Sequence, residues 1–215
     1  MKRNLILNIL AVSLFFGTAA FADPIFYYQN PGTENPTTYT FTATATGSVT
    51  AYYFGMAAAY TDQIGMIDLT ANTSNGVTVS NQTSTYCEQF NFGNVNQGDT
   101  LLFYMTVNNG TTVSTVYSDP SLNSPYDGTT PGANHVYATN YVASPDYLYI
   151  PSGVFLGFED EPAPFADFNY TDDMIVVTDV TLDPVPEPGT LALLSIGMLG
   201  LAVFGMRRME KKCLI

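Results

Sequence analysis

Apolar and polar side chains alternate along the middle of the chain with a period of two, the spacing that puts one face of a strand on a core. Tyr39-Thr40-Phe41-Thr42-Ala43-Thr44-Ala45 alternates strictly and predicts a half-buried strand. Gly47-Ser48 reads as a turn into Val49–Phe54, which makes that run its expected hairpin partner. Further strands are expected at Ile64–Thr70, Val77–Ser80, Thr100–Val107, Thr112–Tyr117, His135–Val142, Tyr147–Ile150, Gly153–Glu159 and Met174–Val180. Asn75-Gly76, Gly98-Asp99, Asn109-Gly110 and Asp127-Gly128 are turn dipeptides, with residues that tolerate positive φ. Residues 118–134 are rich in Pro, Gly and Ser and predict a long irregular loop. Short strands broken by turns every eight to twelve residues or so predict an all-β fold, a jelly-roll-like β-sandwich.

At both ends the pattern changes to uninterrupted apolar runs. Leu5–Phe16 follows Lys2 and Arg3, and Ala20-Phe21-Ala22 offers small residues at the positions a signal peptidase requires. Residues 1–22 therefore read as a signal peptide cut before Asp23. Thr190–Met206 is a second apolar run, followed by Arg207 and Arg208; at 1.5 Å rise it would span about 26 Å, near the lower limit for crossing a bilayer. Its basic flank belongs in the cytoplasm. The expected organisation is thus a sandwich at 23–180, a linker at 181–189, a transmembrane helix at 190–206 and a basic cytoplasmic tail at 207–215.

Charge sharpens this reading. All six Lys and Arg are Lys2, Arg3, Arg207, Arg208, Lys211 and Lys212, and all but one of the nineteen acids lie between the two apolar runs. A body without Lys or Arg cannot neutralise phosphates, which excludes nucleic acid as a partner and argues against docking on anionic lipid. Carboxylates with no cationic side chains near them call for solvent, salt or bound cations, and calcium suits clustered carboxylate oxygens. Cys87 and Cys213 fall on opposite sides of the expected membrane and cannot pair, so Cys87 reads as a small buried hydrophobe.

The C-terminal segment, with Pro186-Glu187-Pro188, a short Gly/Leu-rich span and the Arg207-Arg208 cluster, resembles the PEP-CTERM sorting signal of Gram-negative bacteria. The resemblance implies an exported protein, held in the inner membrane until an exosortase cleaves at or near Pro-Glu-Pro. The ectodomain would then pass to the cell surface or the extracellular matrix. The tail departs from the usual pattern by continuing past the arginines to Ile215.

The densest polar group is Glu159-Asp160-Glu161 followed by Asp167-Phe168-Asn169-Tyr170-Thr171-Asp172-Asp173. Glu159, Asp160, Asp167, Asn169, Asp172 and Asp173 supply oxygens for one hard cation, expected to be calcium in a structural role. The spacing is not that of an EF-hand. Phe158-Glu159-Asp160 with Asp167–Asp172 also resembles a motif of exported bacterial β-domains, in which Asn is usual where Thr171 stands. The alternative is that these carboxylates cap their own turns.

No catalytic apparatus is visible. His135 is the one available imidazole, no GxSxG elbow accompanies it, and its place beside Asn134 suggests a hydrogen-bonded packing residue. A glycosidase pair drawn from Glu159 or Asp160 with Asp172 or Asp173 lacks the Trp platform usual for sugars, since the chain has no Trp. The expected function is a non-enzymatic surface or matrix protein. The rival class is a module binding exopolysaccharide through outward tyrosines of Tyr52-Tyr53-Phe54 and Tyr147-Leu148-Tyr149.

Overall fold

The computed structural model describes residues 28–74, 76–144 and 149–185. Their strands are β1 (Thr38–Ala43), β2 (Gly47–Gly55), β3 (Thr61–Asp68), β4 (Val79–Ser80), β5 (Gln89–Val95) and β6 (Thr100–Asn108). There follow β7 (Val113–Tyr117), β8 (Val136–Tyr141), β9 (Gly153–Phe158), β10 (Asp173–Val177) and β11 (Val180–Val185). One sheet has the order β11-β1-β6-β3-β4, with β7 also paired to β6, and the other has the order β5-β2-β10-β9-β8. Every pairing is antiparallel, and the two sheets face one another as a β-sandwich. First pairs with last (β1–β11) and second with penultimate (β2–β10), the nesting expected of a jelly-roll-like chain.

Alternation fixes which side chains enter the sandwich. Phe41 and Ala43 of β1, Val49, Ala51 and Tyr53 of β2, and Ile64 and Met66 of β3 join Phe103, Met105, Leu156, Phe158, Ile175 and Val177 in one core. The other face of the second sheet carries a second apolar cluster, Phe54, Tyr141, Ile150, Phe155, Met174 and Val176. β10 is therefore buried on both faces, which is why its sequence reads as an unbroken apolar run rather than an alternating one.

Several expectations need correction. The β1–β2 hairpin does not form: Gly47 begins a strand of the opposite sheet, so the chain crosses the sandwich where a hairpin was expected. Alternation alone gives each strand a buried face, and either sheet supplies one. The expected linker at 181–189 starts as strand instead. Residues 181–185 belong to β11, whose register runs Thr38↔Val185 to Ala43↔Val180, and unpaired β1 would otherwise have been the sheet edge. β5 was not anticipated, because Gln89-Phe90-Asn91-Phe92-Gly93-Asn94-Val95 mixes its apolar positions with two Asn and a Gly. Within 118–134 a 3₁₀ turn at Pro120–Leu122 and a single α turn at Ser124–Asp127 break the expected loop. Of the expected strand Tyr147–Ile150, residues 147 and 148 lie outside the described residues, and Tyr149 and Ile150 are not in a strand.

Candidate metal centre

The end of β9, the start of β10 and the start of β3 meet at one end of the sandwich, and the acidic residues gather there. Glu159 and Asp160 directly follow β9, and Asp172 directly precedes β10, which pairs with β9 through Asp173↔Phe158. Ladder pairing thus brings residues twelve apart in sequence into contact. The Asp160 N–H donates to Asp172 Oδ2 at 2.8 Å, and the Asp172 N–H donates to the Phe158 carbonyl at 3.2 Å. One carboxylate oxygen each from Glu159, Asp160 and Asp172 lie within 4.8 Å of one another. These three side chains line a cleft of about 210 Å³ whose other walls are Ala57–Tyr60, Glu161, Asp167 and Asn169.

The loop between the two strands is held in a costly shape. Phe168 and Tyr170 have φ of 46° and 56°, left-handed values that non-glycine residues rarely adopt. The alternation turns Phe168 and Tyr170 inward, against Ala133, Tyr28 and Tyr137. The Tyr170 hydroxyl donates to the Asn134 carbonyl at 2.9 Å and accepts the Asn35 N–H at 2.7 Å. Gly157 lets the loop approach: a Cβ there would lie 2.2 Å from the Tyr170 carbonyl oxygen.

Asp167 and Asn169 play a second part. Asp167 accepts the Asn169 N–H at 3.0 Å and its side-chain amide at 2.8 Å, and Asn169 accepts the Thr171 N–H and hydroxyl at 2.8 and 2.7 Å. Both face the cleft, but part of their oxygen capacity is engaged in the turn. Asp173 is turned the other way. It shares the inward side of β10 with Ile175 and Val177 and is fully buried.

Asp62 was missed by sequence reading. It lies on β3 of the opposite sheet, on the inward side with Ile64 and Met66, with no exposed surface. Asn81 fixes it: the Asp62 N–H donates to Asn81 Oδ1 at 2.9 Å and Asn81 Nδ2 donates to Asp62 Oδ2 at 3.0 Å. Its carboxyl is within hydrogen-bonding reach of Asp160. The available signal was polar: Asp62 occupies an apolar position of an otherwise alternating strand.

Other buried acids are satisfied differently. Asp68 and Asp99 accept backbone N–H bonds in turns, and Asp127 accepts the N–H groups of Ala133 at 2.7 Å and Ala163 at 2.9 Å. In the cluster, Asp62 Oδ1, Glu159 Oε2, Asp160 Oδ2 and both oxygens of Asp173 are buried with no hydrogen-bond partner. Burial, reinforced by their mutual repulsion, pushes Asp62, Asp160 and Asp172 up to about 7 and Glu159 up to about 9. Burial and then Asp62 hold Asp173 well above the usual carboxylate range. Only oxygen donors converge here, which fits a hard divalent cation of the calcium type.

His135, fully buried at the start of β8, is a packing residue of this region. Its Nδ1 lies 2.9 Å from the Glu159 carbonyl oxygen and its Nε2 lies 3.0 Å from Asp127 Oδ1. Both ring nitrogens thus face an oxygen, one of a backbone carbonyl and one of a carboxylate. Burial opposes the Asp127 charge, but the bonds from His135, Ala163 and Ala133 outweigh it and lower its pKa. The Tyr126 ring packs edge-on against the imidazole, with centroids 5.4 Å apart. Cys87 is half-buried against the second cluster, less enclosed than expected. Of the aromatic candidates, Tyr53 and Phe54 are buried on opposite faces of β2, and Tyr149 is exposed.

The processing residues Ala20, Ala22, Pro186, Glu187, Pro188, Arg207 and Arg208 lie outside the described residues, as do the expected transmembrane helix at 190–206 and Cys213. Among the described residues no helix is long and apolar enough to cross a membrane. Comparison with protein families gives a match to the PEP-CTERM protein-sorting motif at residues 184–208. No curated protein and no solved structure matches the chain. The motif marks an exported protein processed by an exosortase and sorted to the cell surface. It begins at residue 184, so its first two residues are the last two of β11.

Proposed function

We propose that this exported, exosortase-sorted chain is a non-enzymatic surface or matrix protein. Its sandwich is locked by a structural calcium ion at Glu159, Asp160 and Asp172, with Asp167 and Asn169 completing the cleft. The observation that carries the reading is the set of buried carboxylate oxygens without partners in a body that has no Lys or Arg. Each unsatisfied buried polar atom costs about 1–3 kcal/mol, more when charged, and a divalent ion removes that cost for several at once. The ion would tie the β9 end to the β10 start and hold the strained loop between them. Outside the cell, calcium is abundant enough to fill a moderate-affinity site of this kind. The fold would then gain rigidity only after export.

Two experiments test this. Thermal unfolding of the full chain in detergent at pH 8, with millimolar calcium and with chelator, should differ by several degrees; identical midpoints refute the calcium site. Mass spectrometry of the surface form should show loss of everything beyond Pro186-Glu187-Pro188. A surface form that keeps its C-terminus refutes the processing. The second reading, a module that binds matrix polysaccharide, draws on Tyr149, whose ring is exposed.

A further inference from the structure

β11 lies at the edge of its sheet, and among the described strands β1 alone pairs with it. The register runs Thr38↔Val185, Tyr39↔Pro184 and Thr40↔Asp183 through to Ala43↔Val180. The two halves of the strand are held unequally. At its start, Val180 is buried in the core and Thr181 Oγ1 donates to the Thr42 carbonyl at 3.3 Å. At its end, Pro184 has no N–H to give the ladder, and Asp183 is exposed. The sorting motif begins at residue 184, so Pro186-Glu187-Pro188 follows the last ladder residue without a spacer. An enzyme that cuts a chain reads several residues beside the bond as extended backbone, through main-chain hydrogen bonds and pockets for alternate side chains. On the near side of Pro186 those are residues 182–185. β1 already occupies one edge of them, and Leu182 packs against the core.

We propose that the exosortase takes this chain with the end of β11, residues 183–185, peeled away from residues 38–40 of β1, so that the β1–β11 ladder gates processing. This rests on the exosortase reading of the Pro-Glu-Pro segment and adds what limits it. The sheet tolerates the opening. β1 stays paired to β6 through Phe41↔Leu101 and Thr42↔Thr100, and Phe41 and Ala43 stay in the core. Val180 and Thr181 keep the start of β11 in place, so the peeled segment remains tethered to a folded sandwich. Re-pairing with β1 competes with capture by the enzyme. The rate of cutting then follows the fraction of chains in which residues 183–185 are unpaired.

A removable staple tests this. In the full chain carrying Cys87→Ser and Cys213→Ser, the changes Thr40→Cys and Asp183→Cys place two thiols at paired positions of the ladder, to be oxidised to a disulfide. Membranes containing the exosortase receive the stapled protein, or the same protein after reduction, and mass spectrometry follows the processed form. The stapled protein should be cut roughly tenfold more slowly or worse. Equal rates overturn the inference and leave the exosortase reading standing. The second variant carries a flexible Gly/Ser insert of about six residues between Val185 and Pro186. It frees the segment to be read from the ladder and leaves residues 186–208 intact, so it should be cut severalfold faster than the native chain, and at one rate whether stapled or reduced. An insert that leaves the native rate unchanged overturns the inference even where the staple fails to form. If no form is cut, the native chain included, the exosortase reading falls and the inference with it.

Discussion

Metal-free protein should lose stability on going from pH 5 to pH 8, the opposite of ordinary acid denaturation. Asp62, Asp160 and Asp172 titrate near 7 in the fold against 3.8 in an unfolded chain, and Glu159 near 9 against 4.5. Between those limits the native state holds protons that the unfolded chain has released, so stability falls as pH rises through the window and levels off above the folded value. A carboxyl raised from 3.8 to about 7 represents about 4 kcal/mol in total. Of this, about 3 kcal/mol falls between pH 5 and 8. The groups share protons, so one carboxyl's worth is the least to expect rather than a quantity to multiply by four. For a domain of this size about 3 kcal/mol lowers Tm by roughly 6–12 °C. Calcium must displace the same protons, so it should bind better at pH 8, where a concentration about a thousandfold above Kd adds about 4 kcal/mol. The assay is a set of thermal melts of the full chain at pH 5, 6, 7 and 8, each with chelator and with calcium. The chelated midpoint should fall across the series while the calcium-loaded midpoint holds. A chelated midpoint that is flat or rises with pH would falsify the account of the buried carboxyls, and equal calcium shifts at pH 5 and pH 8 would refute proton–calcium competition.

Other tests address the scaffold around the cluster. Gly157→Ala places a Cβ 2.2 Å from the Tyr170 carbonyl oxygen, so urea unfolding should show a loss of about 1–3 kcal/mol, with calcium affinity weakened by displacement of the loop. Tyr170→Phe removes the acceptor of a buried Asn35 N–H and a bond to Asn134; a loss of about 1–3 kcal/mol is expected, and an unchanged midpoint denaturant concentration would show those bonds to be dispensable. Asp127→Asn replaces one carboxylate oxygen by an NH2 group that cannot accept, so at least one buried contact to Ala133, Ala163 or His135 is lost, for about 1–3 kcal/mol by the same measurement. Asn81→Ala frees Asp62 from its two hydrogen bonds, and should lower calcium affinity more than Gln82→Ala, whose exposed side chain bonds only the Tyr60 carbonyl.

Much of this was readable in order of residues. Period-two alternation located β1, β3, β6 and β8 to within a few positions, because a strand with one buried face must alternate whatever sheet it joins. The same argument explains the failures. Tyr39–Ala45 and Val49–Phe54 looked like hairpin partners, but nothing local states whether a chain turns back or crosses to the facing sheet. β11 was taken for a linker because Thr181–Val185 includes Asp183 and Pro184; its partner β1 is some 140 residues away. At the site, Glu159, Asp160 and Asp172 were legible as a group because β9 and β10 pair next to each other. Asp62 was not, since its company comes from another sheet.

Sequence by itself determined the sorting of this protein, through the Pro-Glu-Pro segment with its apolar run and arginines at residues 184–208. Such signals are read as linear segments, so order and composition suffice. Only tertiary structure decided which acids share a cluster and which merely close a turn. Asp68 and Asp99 meet backbone N–H groups, whereas Asp62 and Asp173 arrive from opposite sheets with nothing to neutralise them. The difference is one of desolvation and neighbours, and both are properties of packed space rather than of chain position.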